Sequence, residues 1–181
     1  SGIAPGKLDY DFFNKNNFDK VGLTSPHSVT IPGALDAWKN IHNDFGKLDF
    51  EELFLKAIDC ARNGFKVTKV VADAWKKNEN KLLEDENSKK VFLKNKKNYN
   101  LLDIRKNIPL ADTLELISKK GISEFYQGTV GNDIVSSLNK LGGLHTMDDF
   151  VKQTTIKSST ISANYNDNKI HQCPPNGPGI T

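Results

Sequence analysis

The sequence predicts an α+β protein that is mostly helical: a helical block over residues 1–152, then a β-hairpin and a Pro/Gly segment over residues 153–181. Three observations lead to this prediction. Apolar residues recur at three- and four-residue spacing through the first part, which is the period of an amphipathic helix. Glycines stand at the ends of these stretches. After residue 160 the apolar residues alternate with polar ones, which is the period of a strand.

The first strong helix is predicted from Pro32, a residue tolerated in the first helical turn, to Gly46. Its apolar residues fall on one face, which we expect to be buried as a single stripe: Leu35, Trp38, Ile41 and Phe45. Asp49 and Glu52 then match a capping box at the start of a second helix, which ends at Gly64.

Further helices are predicted from the same signals near residues 67–75, 88–93, 109–121 and 130–141. The Lys- and Asn-rich stretch 76–100 is otherwise expected to be a solvated face or loop. Gly142-Gly143 is interpreted as helix termination, because the carbonyl end of a helix repels anions. A last short helix starts at Thr146, which matches a capping box with Asp149.

A β-hairpin is predicted near the end of the chain. Ile161, Ala163 and Tyr165 alternate with polar residues, and an Asn-Asp-Asn turn over 166–168 reverses the chain. A two-stranded sheet needs partners for stability, and the stiff Pro/Gly segment 174–180 normally introduces another element. The chain also begins without an initiator methionine or a leader. We therefore expect it to be an internal piece of a longer protein, forming part of one domain.

Composition excludes several classes of protein. The 181 residues suit one domain or most of one, with 37% hydrophobic and 26% charged residues. The net charge of +3 is small and the lysines are interleaved with acids, so no nucleic-acid-binding face is indicated. No apolar run approaches the length of about 20 residues that a membrane span needs. We expect neither a nucleic-acid partner nor a membrane span.

No pattern of residues indicates a catalytic centre. The four histidines are scattered and are interpreted as structural, with a β-branched strand predicted over 28–31 directly after His27. Cys60 and Cys173 show no metal-binding spacing, and buried thiols are the default interpretation. The sequence lacks the nucleophile-elbow, zinc-protease, P-loop and dinucleotide motifs. We expect no metal and no cofactor.

Short motifs do follow one another along the chain. They are Ser25–Trp38 (with V-P-G-x-x-x-G/A-W/Y), Phe45–Leu48 (Y-G-x-L), Ala57–Val67 (A-I-x-L-A-x-x-G-F-x-V), Leu110–Leu114 (L-A-x-T-L), Phe125–Gly128 (F-Y-x-G), Leu141–Phe150 (x-G-G-x-x-T-x-x-D-L/F) and Pro174–Ile180 (P-P-x-x-x-G-G/I). Together they resemble the large subunit of the γ-glutamyltranspeptidases (γ-glutamyltransferases). Each motif alone is weak, but their shared order over nearly the whole chain is specific.

The resemblance implies a fragment of the large subunit of an N-terminal-nucleophile hydrolase, which has an αββα fold. In that family the precursor cleaves itself, and the new N-terminal threonine of the small subunit attacks the substrate with its own amino group as base. A backbone oxyanion hole stabilises the intermediate. The implied partners are the small subunit of the same precursor and a γ-glutamyl or related acyl-amide substrate. No catalytic residue is expected in this chain, Thr181 included.

One position departs from the family pattern. Transpeptidases carry R-E-x-A-P, whose arginine binds the α-carboxylate of the γ-glutamyl group. Aligned on Ala4-Pro5, Ser1 falls at the position of that arginine. A guanidinium offers a fixed charge and a bidentate fork, and a hydroxyl offers neither. Ser1 is therefore the candidate substrate-binding residue of a divergent, transpeptidase-like branch with acylase or amidase specificity, unless another basic residue binds the carboxylate.

An alternative from a different class is a stand-alone helical binding or interaction module, which would also lack a catalytic centre. The unpartnered hairpin and the Pro/Gly segment argue against it. Localisation stays open. If the parent is exported like bacterial relatives, it is periplasmic or extracellular, and its signal would lie upstream of Ser1.

Overall fold

The computed structural model describes residues 2–174, and within this range the chain is mostly helical with two small antiparallel strand pairs. The helices are α1 (Tyr10–Lys15), α2 (Ala34–Phe45), α3 (Leu55–Asn63), α4 (Lys69–Lys77), α5 (Glu79–Glu84), α6 (Glu86–Phe92), α7 (Ile108–Lys120), α8 (Ser123–Tyr126), α9 (Thr129–Lys140) and α10 (Met147–Lys152). The strands are β1 (Phe65–Lys66), β2 (Ile104–Arg105), β3 (Ile161–Tyr165) and β4 (Asn168–Gln172). The predicted α+β class is confirmed.

One hydrophobic core joins elements that are distant in sequence. Its buried members are Ile31, Leu35, Phe54, Ile117, Tyr126 and Phe150. They come from α2, α7, α8 and α10 and from two connecting segments. Phe150 lies at the centre with no exposed surface, and its ring packs 6.2 Å from that of Phe125 and 6.5 Å from that of Tyr126. Burial of such rings is the main favourable contribution to the fold.

A short sheet brings α3 next to α7. Phe65 of β1 lies opposite Arg105 of β2, and Lys66 lies opposite Ile104. The chain turns from α3 into β1 at Gly64, whose φ is +92°. A Cβ at that position would lie 2.7 Å from the side chain of Ile104. Glycine is therefore required both by the backbone conformation and by the close approach of β2.

Helix ends follow the predicted signals at most positions. Gly46 and Gly64 cap the C-termini of α2 and α3, as predicted. The capping box of Thr146 and Asp149 at the start of α10 is confirmed. The capping box predicted for Asp49 and Glu52 is wrong, because the chain enters α3 through a 3₁₀ turn over Glu52–Phe54 that has no side-chain cap.

The predicted buried stripe on α2 is wrong for three of its four residues. Leu35 is 7% exposed, but Trp38, Ile41 and Phe45 are 53%, 60% and 79% exposed. The stripe does lie on one face of the helix. Only its N-terminal end reaches the core, because no described element covers the rest of that face. Periodicity thus predicted the helix, and the tertiary arrangement determined which residues are buried.

Three further expectations are corrected. Residues 28–31 form no strand, since a 3₁₀ turn (Pro26–Ser28) leads directly into extended chain. Cys60 and Cys173 are both exposed, because each lies on a surface that no other described element covers. The stretch 76–100 contains α5 in addition to the short helix that was predicted, which is α6.

The predicted hairpin is confirmed. Ile161 of β3 lies opposite Gln172 of β4, and Tyr165 lies opposite Asn168 at the turn. All five residues of β3 are exposed, so neither face of this sheet packs against another described element. The linker before β3 runs along α2, where Lys157 forms an ion pair with Asp44 at 2.6 Å.

We expect Phe150→Ala to lower the free energy of unfolding by about 3–5 kcal/mol, because it leaves a cavity at the centre of the core. Phe45→Ala is the matched control, since it removes the same atoms from an exposed site, and we expect a change within about 0.5 kcal/mol. Denaturant unfolding of this chain measures both. Equal losses in the two variants would contradict the exposure of α2.

Candidate functional site

Two parts of the predicted site lie outside the described residues: the candidate substrate-binding residue Ser1, and residues 175–181 of the Pro/Gly segment. The structure does describe the segment that follows Ser1, which contains Ala4-Pro5. Residues 2–8 are called the N-terminal segment below. This segment is the candidate functional site, because its docking determines where the chain enters position 1.

Three hydrogen bonds dock the N-terminal segment on the helical block. The Ile3 amide donates to Oε1 of Gln153, and the Ile31 amide donates to the Ile3 carbonyl, both at 2.9 Å. The Gly6 amide donates to Oδ1 of Asp149, also at 2.9 Å. Gln153 and Asp149 are 7% and 6% exposed. Since unsatisfied buried acceptors are costly, these two side chains favour one position of the segment.

Position 2 approaches the neighbouring chain very closely. A Cβ on Gly2 would lie 1.5 Å from the carbonyl oxygen of Ile31. No side chain fits there without movement of the backbone. In the R-E-x-A-P pattern position 2 is a glutamate, so Gly2 is a second departure beside Ser1, and it has a steric cause.

Asp149 is bonded on both carboxylate oxygens. Its Oδ1 accepts from Gly6, while its Oδ2 accepts from the amide and the hydroxyl of Thr146 at 2.9 and 2.7 Å. Burial alone would raise the pKa of the Asp149 carboxyl. The hydrogen bonds from Thr146 and from the Gly6 amide outweigh burial and keep this pKa below its ordinary value. The carboxylate is therefore ionised when the N-terminal segment is docked.

Tyr126 fixes the Ile31-Pro32-Gly33 segment from the other side. Its hydroxyl donates to the Pro32 carbonyl at 2.7 Å and accepts from the Asp36 amide at 3.2 Å. Burial raises the pKa of this phenol, so it stays protonated and able to donate. The start of α2 is thereby connected to α8.

His145 binds the same region. Its side chain is 1% exposed, and Nε2 lies 2.8 Å from the Val29 carbonyl oxygen. A carbonyl accepts only, so Nε2 carries the proton in this contact. The side-chain amide of Asn139 in turn donates to the His145 carbonyl at 3.1 Å. The structural role predicted for this histidine is thus supported by its contacts.

Four of the motifs noted in the sequence meet here. They are the Ala4-Pro5 segment, the Ile31-Pro32-Gly33 segment, the segment Phe125–Gly128 and the segment Leu141–Phe150. Their contacts are hydrogen bonds between backbone groups and buried side chains. The arrangement positions a chain segment and contains no nucleophile–base pair. Among residues 2–174 no cluster of His, Cys, Asp or Glu side chains could bind a metal ion.

The profile of the γ-glutamyltranspeptidase family matches residues 1–181, which is the whole chain. This chain belongs to the γ-glutamyltranspeptidase family. The family resemblance found in the ordered motifs is therefore confirmed. Within residues 2–174, no helix has the length and apolar character of a membrane span.

Individual relatives agree with the family assignment. Glutathione hydrolase proenzyme 2 of Schizosaccharomyces pombe is 31% identical over 185 residues, which cover 98% of this chain and 29% of the relative. The crystal structure of Helicobacter pylori γ-glutamyltranspeptidase is 26% identical, with a TM-score of 0.90 over 97% of this chain and 52% of that one.

A cephalosporin acylase from Bacillus halodurans shares the fold, with a TM-score of 0.91 over 97% of this chain and 34% of that one. At 24% identity this likeness concerns the fold alone. It agrees with the predicted fold of an N-terminal-nucleophile hydrolase. The chain spans less than a third of the length of the S. pombe relative, which fits a fragment of a longer protein.

Sequence reasoning missed three residues of this γ-glutamyltranspeptidase segment. Asp149 was recognised only as a helix cap, and neither Gln153 nor Gly2 was assigned a role. The capping box was the available signal for Asp149, since an acceptor with two oxygens can serve a second donor. No sequence signal marks Gln153, because its partner Ile3 is 150 positions away.

We expect Asp149→Asn to lower the free energy of unfolding at neutral pH by about 1–3 kcal/mol, because an amide cannot accept at both of its ends. The folded-state pKa of Asp149 is lowered, so its ionised form contributes stability above its ordinary pKa of about 4. That contribution is lost as the pH falls through the folded-state value. The variant should therefore show a flatter dependence of stability on pH below about pH 4.

Urea unfolding between neutral and acid pH measures this effect. Asp148→Asn is the matched control, because Asp148 lies in the same helical turn but is exposed. We expect its stability to stay within about 0.5 kcal/mol of the original. Equal effects of the two substitutions would contradict the docking role of Asp149.

Proposed function

We propose that this chain is part of the large subunit of an enzyme that transfers or hydrolyses γ-glutamyl or related acyl amides. The reaction would use the N-terminal threonine of a small subunit released from the same precursor. The observation that carries this proposal is the family match over the whole chain, together with the meeting of four family motifs around the N-terminal segment. That segment leads into the position at which the family binds the substrate carboxylate.

The contribution of this chain is positioning. The nucleophile and the oxyanion hole of the family belong to the small subunit, and we assign no catalytic residue to residues 1–181. The S. pombe relative is a proenzyme, which supports a precursor that is cleaved. The partner of this chain is accordingly the small subunit of its own precursor.

The substrate of the parent enzyme depends on position 1. With Ser1 in place of arginine, a substrate α-carboxylate has no fixed cation at that position. We propose that the enzyme accepts acyl amides that bind without this ion pair, as an acylase or amidase of the transpeptidase-like branch would. Gly2 supports this, because its close approach to Ile31 gives the segment a different backbone requirement from R-E-x-A-P.

Incubation of the purified full-length parent should convert one chain into two, with the smaller one beginning at threonine. Intact mass and N-terminal sequencing measure this directly. Replacement of that threonine by alanine should leave a single chain, because the attacking hydroxyl is lost. The 181-residue chain alone should hydrolyse no γ-glutamyl anilide.

A parent that stays as a single chain would contradict self-processing. Turnover of the anilide by the isolated chain would contradict the assignment of the nucleophile to the small subunit. These two results are independent, since the first concerns maturation and the second concerns the location of the catalytic residue.

We expect Ser1→Arg in the full-length protein to raise kcat/KM for a γ-glutamyl anilide by about 10- to 100-fold. A charge-assisted hydrogen bond contributes about 1.5–3 kcal/mol, and each 1.4 kcal/mol is a factor of about ten. Ser1→Gln is the control, because it adds length and hydrogen-bonding groups without charge. A similar gain in both variants, or no gain with arginine, would argue against position 1 as the carboxylate-binding position.

A further inference from the structure

A cleft of about 670 Å³ lies between α4 and the loop over 97–101, away from any role proposed above. Its lining is mostly polar and basic: Lys69, Ala72, Asp73, Lys76, Glu79, Lys97, Asn98, Tyr99, Asn100 and Leu101. The two walls are joined by Trp75 of α4 and Tyr99 of the loop, whose rings lie 5.3 Å apart. The volume is in the range of sites that bind small molecules or short peptide segments.

The positive charge of the protein is concentrated around this cleft. Residues 69–106 contain eleven lysines and arginines and six acids, a net charge of +5. The rest of the chain contains fourteen and sixteen, a net charge of −2. The small overall charge of +3 therefore conceals one strongly basic region. Such a region raises the local concentration of anionic partners.

Within the cleft the lysines outnumber the acids that neutralise them. Lys69 is paired with Asp73 at 2.8 Å. Among the described residues, neither Lys76 nor Lys97 forms a salt bridge. Glu79 is the one other acid in the lining. The cleft thus has an excess of cationic donors.

A buried cation lies behind the aromatic wall. Arg105 is 6% exposed, and its guanidinium lies 5.5 Å from the ring centres of Trp75 and Phe92. Its one hydrogen bond is to the Val91 carbonyl at 3.1 Å, and no described carboxylate forms an ion pair with it. Buried charges are usually paired. An unpaired one adds positive potential to its surroundings, because a low dielectric screens it weakly.

We propose that this cleft binds an acidic peptide segment. Lysines act as point charges on flexible stems, which suits a series of carboxylates better than one oriented phosphate. Asn98 and Asn100 supply amide groups that can bond a peptide backbone. A nucleic acid is disfavoured, because single-stranded nucleic acids need free aromatic faces for stacking, and the Tyr99 ring already packs on Trp75.

The test measures binding of a fluorescein-labelled oligoglutamate peptide to the full-length protein by fluorescence anisotropy. We expect saturable binding that weakens as ionic strength rises to about 0.15 M. The double substitution Lys76→Glu with Lys97→Glu should weaken binding by about tenfold or more, since like charges then face the peptide. An oligoglutamine peptide of equal length should not bind.

Lys20→Glu with Lys47→Glu is the matched control, because it makes the same change of net charge at exposed loop positions outside residues 69–106. We expect this control to stay within about twofold of the original affinity. The milder pair Lys76→Gln with Lys97→Gln repeats the test if the charge reversal impairs folding. Absence of binding by the original protein, or equal weakening in the control, would overturn the proposal. The readout needs no catalysis, so the result is independent of the proposed enzymatic function.

Discussion

The carboxylate of Asp149 connects the two parts of the molecule on which the candidate site depends. One oxygen caps α10 through Thr146, and the other accepts the amide of Gly6 in the N-terminal segment. Phe150 follows immediately and fills the centre of the core. The position of the N-terminal segment is therefore tied to the best-packed part of the protein. A shift of α10 would move the segment that leads into position 1.

The start of α2 adds a second support to the same region. The hydroxyl of Tyr126 bonds the Pro32 carbonyl, and the imidazole of His145 bonds the Val29 carbonyl. The amide of Ile31 then bonds Ile3 in the N-terminal segment. These contacts explain why motifs that are separate along the chain occur together in this family segment. They position one backbone path, and the reactive groups of the proposed enzyme belong to another subunit.

Two surfaces of the described residues are apolar or incompletely paired. Trp38, Ile41 and Phe45 are exposed along α2, and the β3–β4 hairpin has no third strand among residues 2–174. Both features are unfavourable for a stand-alone module. They agree with a chain that spans less than a third of the S. pombe relative. In a longer protein, further elements could cover both surfaces.

The sequence by itself determined most helices, the hairpin, the capping box at Thr146 and the family, because each of these rests on local spacing or on ordered motifs. It did not determine which apolar residues are buried, as the exposed stripe on α2 shows. Nor did it reveal that Gln153 and Asp149 accept hydrogen bonds from Ile3 and Gly6. Those partners are separated by 150 and 143 positions. Only the tertiary structure decided these contacts, because burial and long-range hydrogen bonding depend on which elements pack together.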